Sequence, residues 1–428
     1  MSNGKLAILA AGGPAPGINS VIAAATIRAR LSGLDVLGIR DGFKWIMKGD
    51  THQVIPLTIE NVTPIHFRGG SFIGIDRANP AREGKLEQTV QALRSLGVDK
   101  LICIGGDGTA FTATALAECA GERLRVVHVP KTIDNDLMLP DDIPTFGFQT
   151  ARHVGVRIVQ DLHMDAQTTS RWYFIVAMGR QAGHLALGIG KAASATLTLI
   201  PEEFPQNVRL GEVVDVLAGA IIKRLSQGRM DGTAVLAEGL IERIDPDDLT
   251  EELSTADKDQ FGKARLAEIN LGQLLKSRVQ RRLQALPAQL SVTIQPRNVG
   301  YELRCTDPIP FDMEYTRDLG YSATKYLLEG GNRAMITIQH GQFKPVPLSD
   351  IVDPVTRRTR VRNVNTDTES YKIARRYMIH LRRDDFENPR TVELFAQTTG
   401  LTPEEFRDQF QYVVRLEAPP LRLTKPEL

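Results

Sequence analysis

The sequence predicts an α/β protein of the doubly wound class, built as one or two such units. Three observations carry this. Short apolar runs without polar alternation recur through the first 240 residues, as strands buried on both faces require. Segments of helical periodicity separate them, so the strands run parallel. Loops rich in Gly and Asp follow several of the runs, at the strand ends where ligands bind in this class.

Residues 5–10 form the first apolar run, and 18–31, rich in Ala and Ile, reads as the first helix. A second strand covers 34–39. Helical periodicity over 85–96 stops at Gly97, a good C-terminal signal. Then come a strand at 100–104, a helix at 109–120, a strand at 125–129 and an amphipathic helix at 151–167. Further strands cover 173–178, 195–200 and 233–237, with a helix over 210–225 between the last two. From 242 to 286 the composition shifts, with a charged loop at 244–248 and a long polar helix expected over 261–286. This stretch reads as an insertion. The sheet resumes at 291–294, a late strand covers 335–338, and the last 80 residues are mixed and rich in Arg.

A chain of 428 residues with 42% hydrophobic residues can bury a large core without staples. Lys plus Arg (52) nearly balances Asp plus Glu (51), which argues against a nucleic-acid partner and means that any anion site is built locally. Cys103, Cys119 and Cys305 form no CxxC pair and read as buried thiols of a reducing compartment. The first apolar run breaks at Gly12-Gly13, far short of a membrane span, and no signal-peptide pattern precedes it. A soluble cytoplasmic protein with no membrane partner is expected.

Three loops hold the chemistry. Gly12-Gly13-Pro14-Ala15-Pro16-Gly17-Ile18-Asn19 joins the first strand to the first helix. Glycines let backbone N–H groups approach a ligand, and a helix N-terminus favours phosphate. A tight strand–helix turn would use glycines as well. The loop is neither a Walker A sequence nor GxGxxG, so a nicotinamide dehydrogenase is a poor reading. In Gly105-Gly106-Asp107-Gly108-Thr109, Asp107 either caps the following helix or holds Mg²⁺, which typically takes one or two carboxylates plus phosphate oxygens. Pro130-Lys131-Thr132-Ile133-Asp134-Asn135-Asp136 packs two carboxylates, a hydroxyl, an amide and a cation into seven residues. On an extended loop Asp134 and Asp136 would point the same way, one taking a proton from an attacking hydroxyl and the other meeting metal or sugar. The bland alternative is an Asx turn, which needs no such run. Arg77, Arg82, Arg171, Arg180 and Arg304 lie in or near such loops and could hold phosphoryl oxygens. The histidines show no zinc-ligand spacing. The set points to phosphoryl transfer.

These motifs, with Met178-Gly179-Arg180, Glu238 in Leu236-Ala237-Glu238-Gly239, and Tyr301-Glu302-Leu303-Arg304, occur in the order found in the 6-phosphofructokinase family, which the chain closely resembles over about residues 5 to 340. The resemblance implies two Rossmann-like domains of the phosphofructokinase type, with a helical insertion and a C-terminal extension. The first would cover 1–146, with the chain returning to it over about 305–375, and would bind donor phosphate and Mg²⁺. The second, 147–304, would bind the sugar phosphate and carry the insertion at about 242–290, and 376–428 would pack back on it.

It also implies a glycolytic reaction, attack of the 1-hydroxyl of fructose 6-phosphate on a terminal phosphoryl group. Asp134 would be the general base, Asp107 the metal-associated aspartate, and Asp136 a residue that orients the sugar. Thr132, Lys131 and Arg180 would act at the transferred group, with Gly13, Arg77, Gly108 and Thr109 at the donor phosphates. Arg171, Met178, Gly179, Glu238, Tyr301 and Arg304 would contact fructose 6-phosphate. Arg171 would come from a neighbouring subunit of a homodimer or homotetramer. Tyr301 departs from the His of bacterial ATP enzymes. In the family, a small residue at Gly108 leaves room for ATP, whereas Lys131 resembles the pyrophosphate enzymes. The steric criterion favours ATP, with a reversible pyrophosphate-dependent enzyme, open also to sedoheptulose 7-phosphate, as the alternative. A non-catalytic sugar-phosphate or nucleotide sensor would lack Asp107 or Asp134, and both are present.

Overall fold

The computed structural model describes residues 4–140, 143–250, 269–351, 360–415 and 417. The chain divides into two units. Unit 1 comprises Met1–Gly155 and Gly300–Asn363, and unit 2 comprises Val156–Val299 and Val364–Leu428.

Unit 1 begins with β1 (Lys5–Ala10), α1 (Ile18–Leu31), β2 (Asp35–Ile39) and β3 (Val54–Leu57). After the short helix α2 (Ile59–Val62) come α3 (Leu86–Ser95), β4 (Val98–Gly105), α4 (Asp107–Ala120), β5 (Arg125–Thr132) and the two-residue β6 (Phe146–Gly147). The helix α5 (Phe148–Thr169) contains the boundary between the units. Unit 2 holds β7 (Trp172–Ala177), α6 (His184–Ala192), β8 (Leu197–Leu199), α7 (Leu210–Ser226), β9 (Gly232–Ala237), α8 (Leu271–Gln284) and β10 (Ile294–Val299). The chain then returns to unit 1 with α9 (Pro310–Leu328), β11 (Ala334–Met335), β12 (Ile338–Gln339), β13 (Gln342–Phe343) and β14 (Val346–Pro347).

The unit 1 sheet runs β14-β11-β5-β4-β1-β2-β3, with β6 beside β5. It is parallel from β11 to β2, and only β3 and β14 pair antiparallel. Alternation along the central strands explains why both faces are covered. Leu6, Ile8, Ala10, Ile102 and Ile104 pack with Val21 and Ile22 of α1 and Leu319 and Leu327 of α9. Ala7, Leu9, Leu101 and Cys103 pack with Leu93 of α3 and Ala113 and Leu116 of α4. The strand order reverses between β1 and β4. Such a switch point opens a crevice beyond the carboxyl ends of the strands, and the loops after β1 and β4 flank it.

The unit 2 sheet, β10-β7-β9-β8, is wholly parallel. Its core joins Trp172 and Phe174 to Leu217 and Ile221 of α7 and to Leu275 and Val279 of α8. Phe395, Phe406 and Phe410, from the C-terminal helices Pro389–Thr399 and Pro403–Phe410, complete the same core.

Several expectations shift. The strand expected at 125–129 runs on to Thr132, because Lys131 and Thr132 pair with β6. The strand expected at 291–294 lies at Ile294–Val299. The late strand at 335–338 is two short ones, β11 and β12, in different sheets. Of the polar helix expected over 261–286, residues 261–268 lie outside the described set and α8 supplies the rest. Cys103 alone is buried; Cys119 is half-buried and Cys305 exposed, which corrects the reading of three buried thiols. Among the described residues, no helix is long and apolar enough to cross a membrane.

Candidate active site

The three loops meet in unit 1 at the carboxyl ends of β1, β4 and β5. Gly17, with φ 104°, is the N-cap of α1, a left-handed conformation that glycine takes without strain. Asn19 donates to the carbonyls of Arg68 and Gly69 (both 3.1 Å) and accepts from the N–H of Phe72 (2.7 Å), so it holds the 68–72 loop. At Gly13 a Cβ would fall 2.5 Å from Nη2 of Arg304, so glycine there admits the guanidinium against the backbone. Arg304 also lies over the ring of Tyr301, 5.3 Å from its centroid, and Tyr301 is largely exposed. The Arg77 side chain is exposed, but its segment joins the first glycine loop through the Gly12 N–H, which donates to the Asp76 carbonyl (2.9 Å).

The N-cap of α4 is Gly106, which makes no side-chain cap, so Asp107 is not the capping residue. It stands in the first turn, where a carboxylate suits the helix dipole. A Cβ at Gly108 would meet nothing within 4 Å, and Thr109 is buried against Gly105. Below the loop, the wholly buried His128 of β5 contacts the Gly105 carbonyl through Nε2 (2.9 Å). Burial lowers its pKa to about 4, so it is neutral and Nε2 carries the donating proton. Nothing local marks it in the sequence: it sits within an apolar run.

Lys131, the penultimate residue of β5, is almost fully buried, with its ammonium donating to the Gly13 carbonyl across to the first loop. Burial lowers its pKa to about 8; the carboxylates of Asp134, Asp107 and Asp136 favour the charged form, and Arg304 opposes it. One ammonium therefore feels three carboxylates from two strand ends.

The Asp loop is not extended. Asn135 is left-handed (φ 57°), which corrects the premise that Asp134 and Asp136 align by strand alternation. A web of bonds holds the turn instead. The Asp134 N–H donates to Thr132 Oγ1 (3.0 Å), Thr145 Oγ1 to the Thr132 carbonyl (2.7 Å), and the Thr145 N–H to Asn135 Oδ1 (3.0 Å). Arg362, which motif reading missed, grips the same turn.

In unit 2, Glu238 Oε1 accepts from the N–H groups of Gly179 (3.1 Å) and Arg180, so the two expected contact segments are tied together. Arg180 is exposed and left-handed (φ 52°). Met178 continues β7 into this loop through its N–H to Val299 (3.0 Å). Arg171 lies at the other end of β7, and the six intervening residues span roughly 20 Å. It does not join Gly179 and Arg180 within one chain. A cavity of 570 Å³ lined by Glu203, Tyr371 and Arg375, also in unit 2, contains none of the motif residues.

A family model described as phosphofructokinase matches residues 5–327. A Thermotoga maritima relative named pyrophosphate–fructose 6-phosphate 1-phosphotransferase is 49% identical over 420 residues, covering 96% of this chain and 99% of its own. A Naegleria fowleri protein of the same name is 44% identical, covering 96% of both. The solved structure of a pyrophosphate-dependent phosphofructokinase from Nitrosospira multiformis matches with a TM-score of 0.65 at 18% identity, covering 92% of this chain and 91% of its own. At that identity it bears on the fold alone.

The relatives overturn the expectation of ATP as donor, since both near-full-length ones are named for pyrophosphate. The steric criterion fails for a simple reason. A Cβ at Gly108 would meet nothing within 4 Å, and open space there admits a small donor as readily as a large one. From the family model and these relatives together, the chain belongs to the phosphofructokinase family.

Proposed function

We propose that the protein transfers a phosphoryl group from pyrophosphate to the 1-hydroxyl of fructose 6-phosphate, releasing orthophosphate and fructose 1,6-bisphosphate in the cytoplasm. The observation that carries this reading is the buried Lys131 ammonium, set among Asp134, Asp107 and Asp136 beside Arg304. In the proposed step, Asp134 takes the hydroxyl proton as that oxygen attacks the terminal phosphorus, and the bond to the bridging oxygen breaks. Lys131 and Arg180 counter charge on the transferred group, and Thr132 lies beside it. Gly13, Arg77, Gly108 and Thr109 serve the donor phosphates. Asp136, Met178, Gly179, Arg180, Glu238, Tyr301 and Arg304 orient the sugar phosphate. Arg171 acts from a neighbouring subunit of a homo-oligomer, a reading that its place at the far end of β7 supports.

The residues fit Mg²⁺. Asp107 offers a hard oxygen ligand at the N-terminus of α4, and Mg²⁺ needs only one or two carboxylates beside phosphate oxygens. When bound with the donor, the ion would neutralise phosphate charge. With fructose 6-phosphate, pyrophosphate and Mg²⁺, phosphorus NMR is expected to show a second sugar-phosphate ester growing in step with orthophosphate. No ester from any donor would refute the reaction.

The depressed Lys131 pKa predicts a pH limit. The amine is charged below about pH 8 and loses its charge above it. The kcat/KM for pyrophosphate should therefore fall about tenfold per pH unit above that point. At saturating donor the limb should move to higher pH, because bound phosphate favours the ammonium. A flat profile from pH 7 to 10 would contradict this. The same group acts oppositely on stability. Between about pH 8 and its ordinary value of 10.5, the unfolded chain binds more protons than the folded one, so its contribution rises with pH.

A further inference from the structure

Arg362 lies 227 positions along the chain from Asn135, yet it is only 7% exposed and its side chain is bonded to the Asp turn. Its Nε donates to the Asn135 carbonyl (3.1 Å), Nη2 to Asn135 Oδ1, and Nη1 to the carbonyls of Ile143 (2.8 Å) and Pro140 (3.4 Å). Its backbone N–H donates to the Asp136 carbonyl (2.8 Å), and beside it Val361 bridges Leu137 antiparallel. One planar cation thus ties the residue between the two aspartates to the segment that returns toward β6.

Every nitrogen of the guanidinium is used, and the acceptors lie on two separate stretches. A rigid fork suits this, whereas a lysine is a point donor on a flexible stem and cannot span the set. The turn needs such an anchor. Its central residue is left-handed, a conformation that the Asn side chain tolerates but does not enforce. Without the anchor, Asn135 could relax and turn Asp134 and Asp136 away from Lys131. A base must stand within hydrogen-bond reach of its proton, and a displacement of about 1 Å costs on the order of 100-fold in rate.

We propose that Arg362 is a positioning residue for the reaction, holding the Asp134–Asn135–Asp136 turn in its productive shape. This rests on the reading of Asp134 as the base.

The test compares Arg362→Lys and Arg362→Ala with the unaltered protein, by pyrophosphate-dependent turnover and by amide hydrogen exchange. Arg362→Lys is expected to lower kcat about 100-fold with KM for fructose 6-phosphate changed less than about threefold. Free guanidinium ion at non-denaturing concentration is expected to restore part of the loss in Arg362→Ala, and methylammonium not. Exchange should quicken at the amides of Asp134 and Thr145 while the β1 and β4 amides stay protected. Unchanged kcat in Arg362→Lys, or a loss that guanidinium does not relieve in a folded Arg362→Ala, would overturn the proposal. If Arg362→Ala does not fold, Arg362→Lys and its exchange pattern decide. An unaltered protein without activity would refute the reaction instead, while unchanged exchange in Arg362→Lys would refute the anchoring.

Discussion

Replacing Asp134 with Ser is expected to reduce turnover by about three orders of magnitude, with fructose 6-phosphate affinity changed only slightly. General base catalysis is worth roughly 10² to 10⁴ in rate, or about 3 to 5.5 kcal/mol of barrier. Serine keeps a polar group at the position but cannot hold the proton at neutral pH. The turn itself should survive, because the bonds that hold it run through Thr132, Asn135, Thr145, Arg362 and the backbone N–H of Asp134. Steady-state kinetics with pyrophosphate, alongside a thermal melt, separate the outcomes. Turnover within tenfold of the unaltered protein would remove Asp134 as the base.

The second large effect is expected from Lys131→Met. Methionine keeps much of the volume at a site that is 4% exposed, while the charge is lost. Removing a preorganised charge-stabilising donor typically costs about 10² to 10³ in kcat. A further loss should appear in KM for pyrophosphate, since in the proposed step the ammonium would meet the donor before transfer as well. The alkaline limb near pH 8 should vanish from whatever activity remains, because the group that titrates is gone. A variant that keeps both its rate and its limb would exclude Lys131 from the donor site.

Much of unit 1 was legible because its strands are buried on both faces and announce themselves as unbroken apolar runs. The helix expected at 18–31 is α1 residue for residue, and β1 likewise. Where burial is one-sided the pattern fades. Ile294–Val299 is an edge strand whose middle residues, from Gln295 to Asn298, are only partly buried or exposed. Such a segment carries no apolar run, and Pro296 disguises it further. The extension of β5 to Lys131 and Thr132 rests on β6, a two-residue partner that no local pattern reveals.

The site divides in the same way. Asp107, Lys131, Asp134 and Asp136 stand out as candidates because each sits just past an apolar run, in a segment too rich in function-bearing side chains for a plain turn. The supports are not readable. His128 hides within a strand, and Arg362 is one of several arginines in a polar stretch, distinguished only by a tertiary contact. Donor choice is not legible from Gly108, which marks available space, and space alone selects nothing.

In the proposed reaction a compact donor meets the Lys131 ammonium. A comparison of kcat/KM for pyrophosphate and for ATP, on one preparation with fructose 6-phosphate and Mg²⁺, tests it most directly. Pyrophosphate is expected to be preferred by at least about 100-fold, a difference of about 2.7 kcal/mol in transition-state binding. Equal use of both donors, or a preference for ATP, would contradict the account.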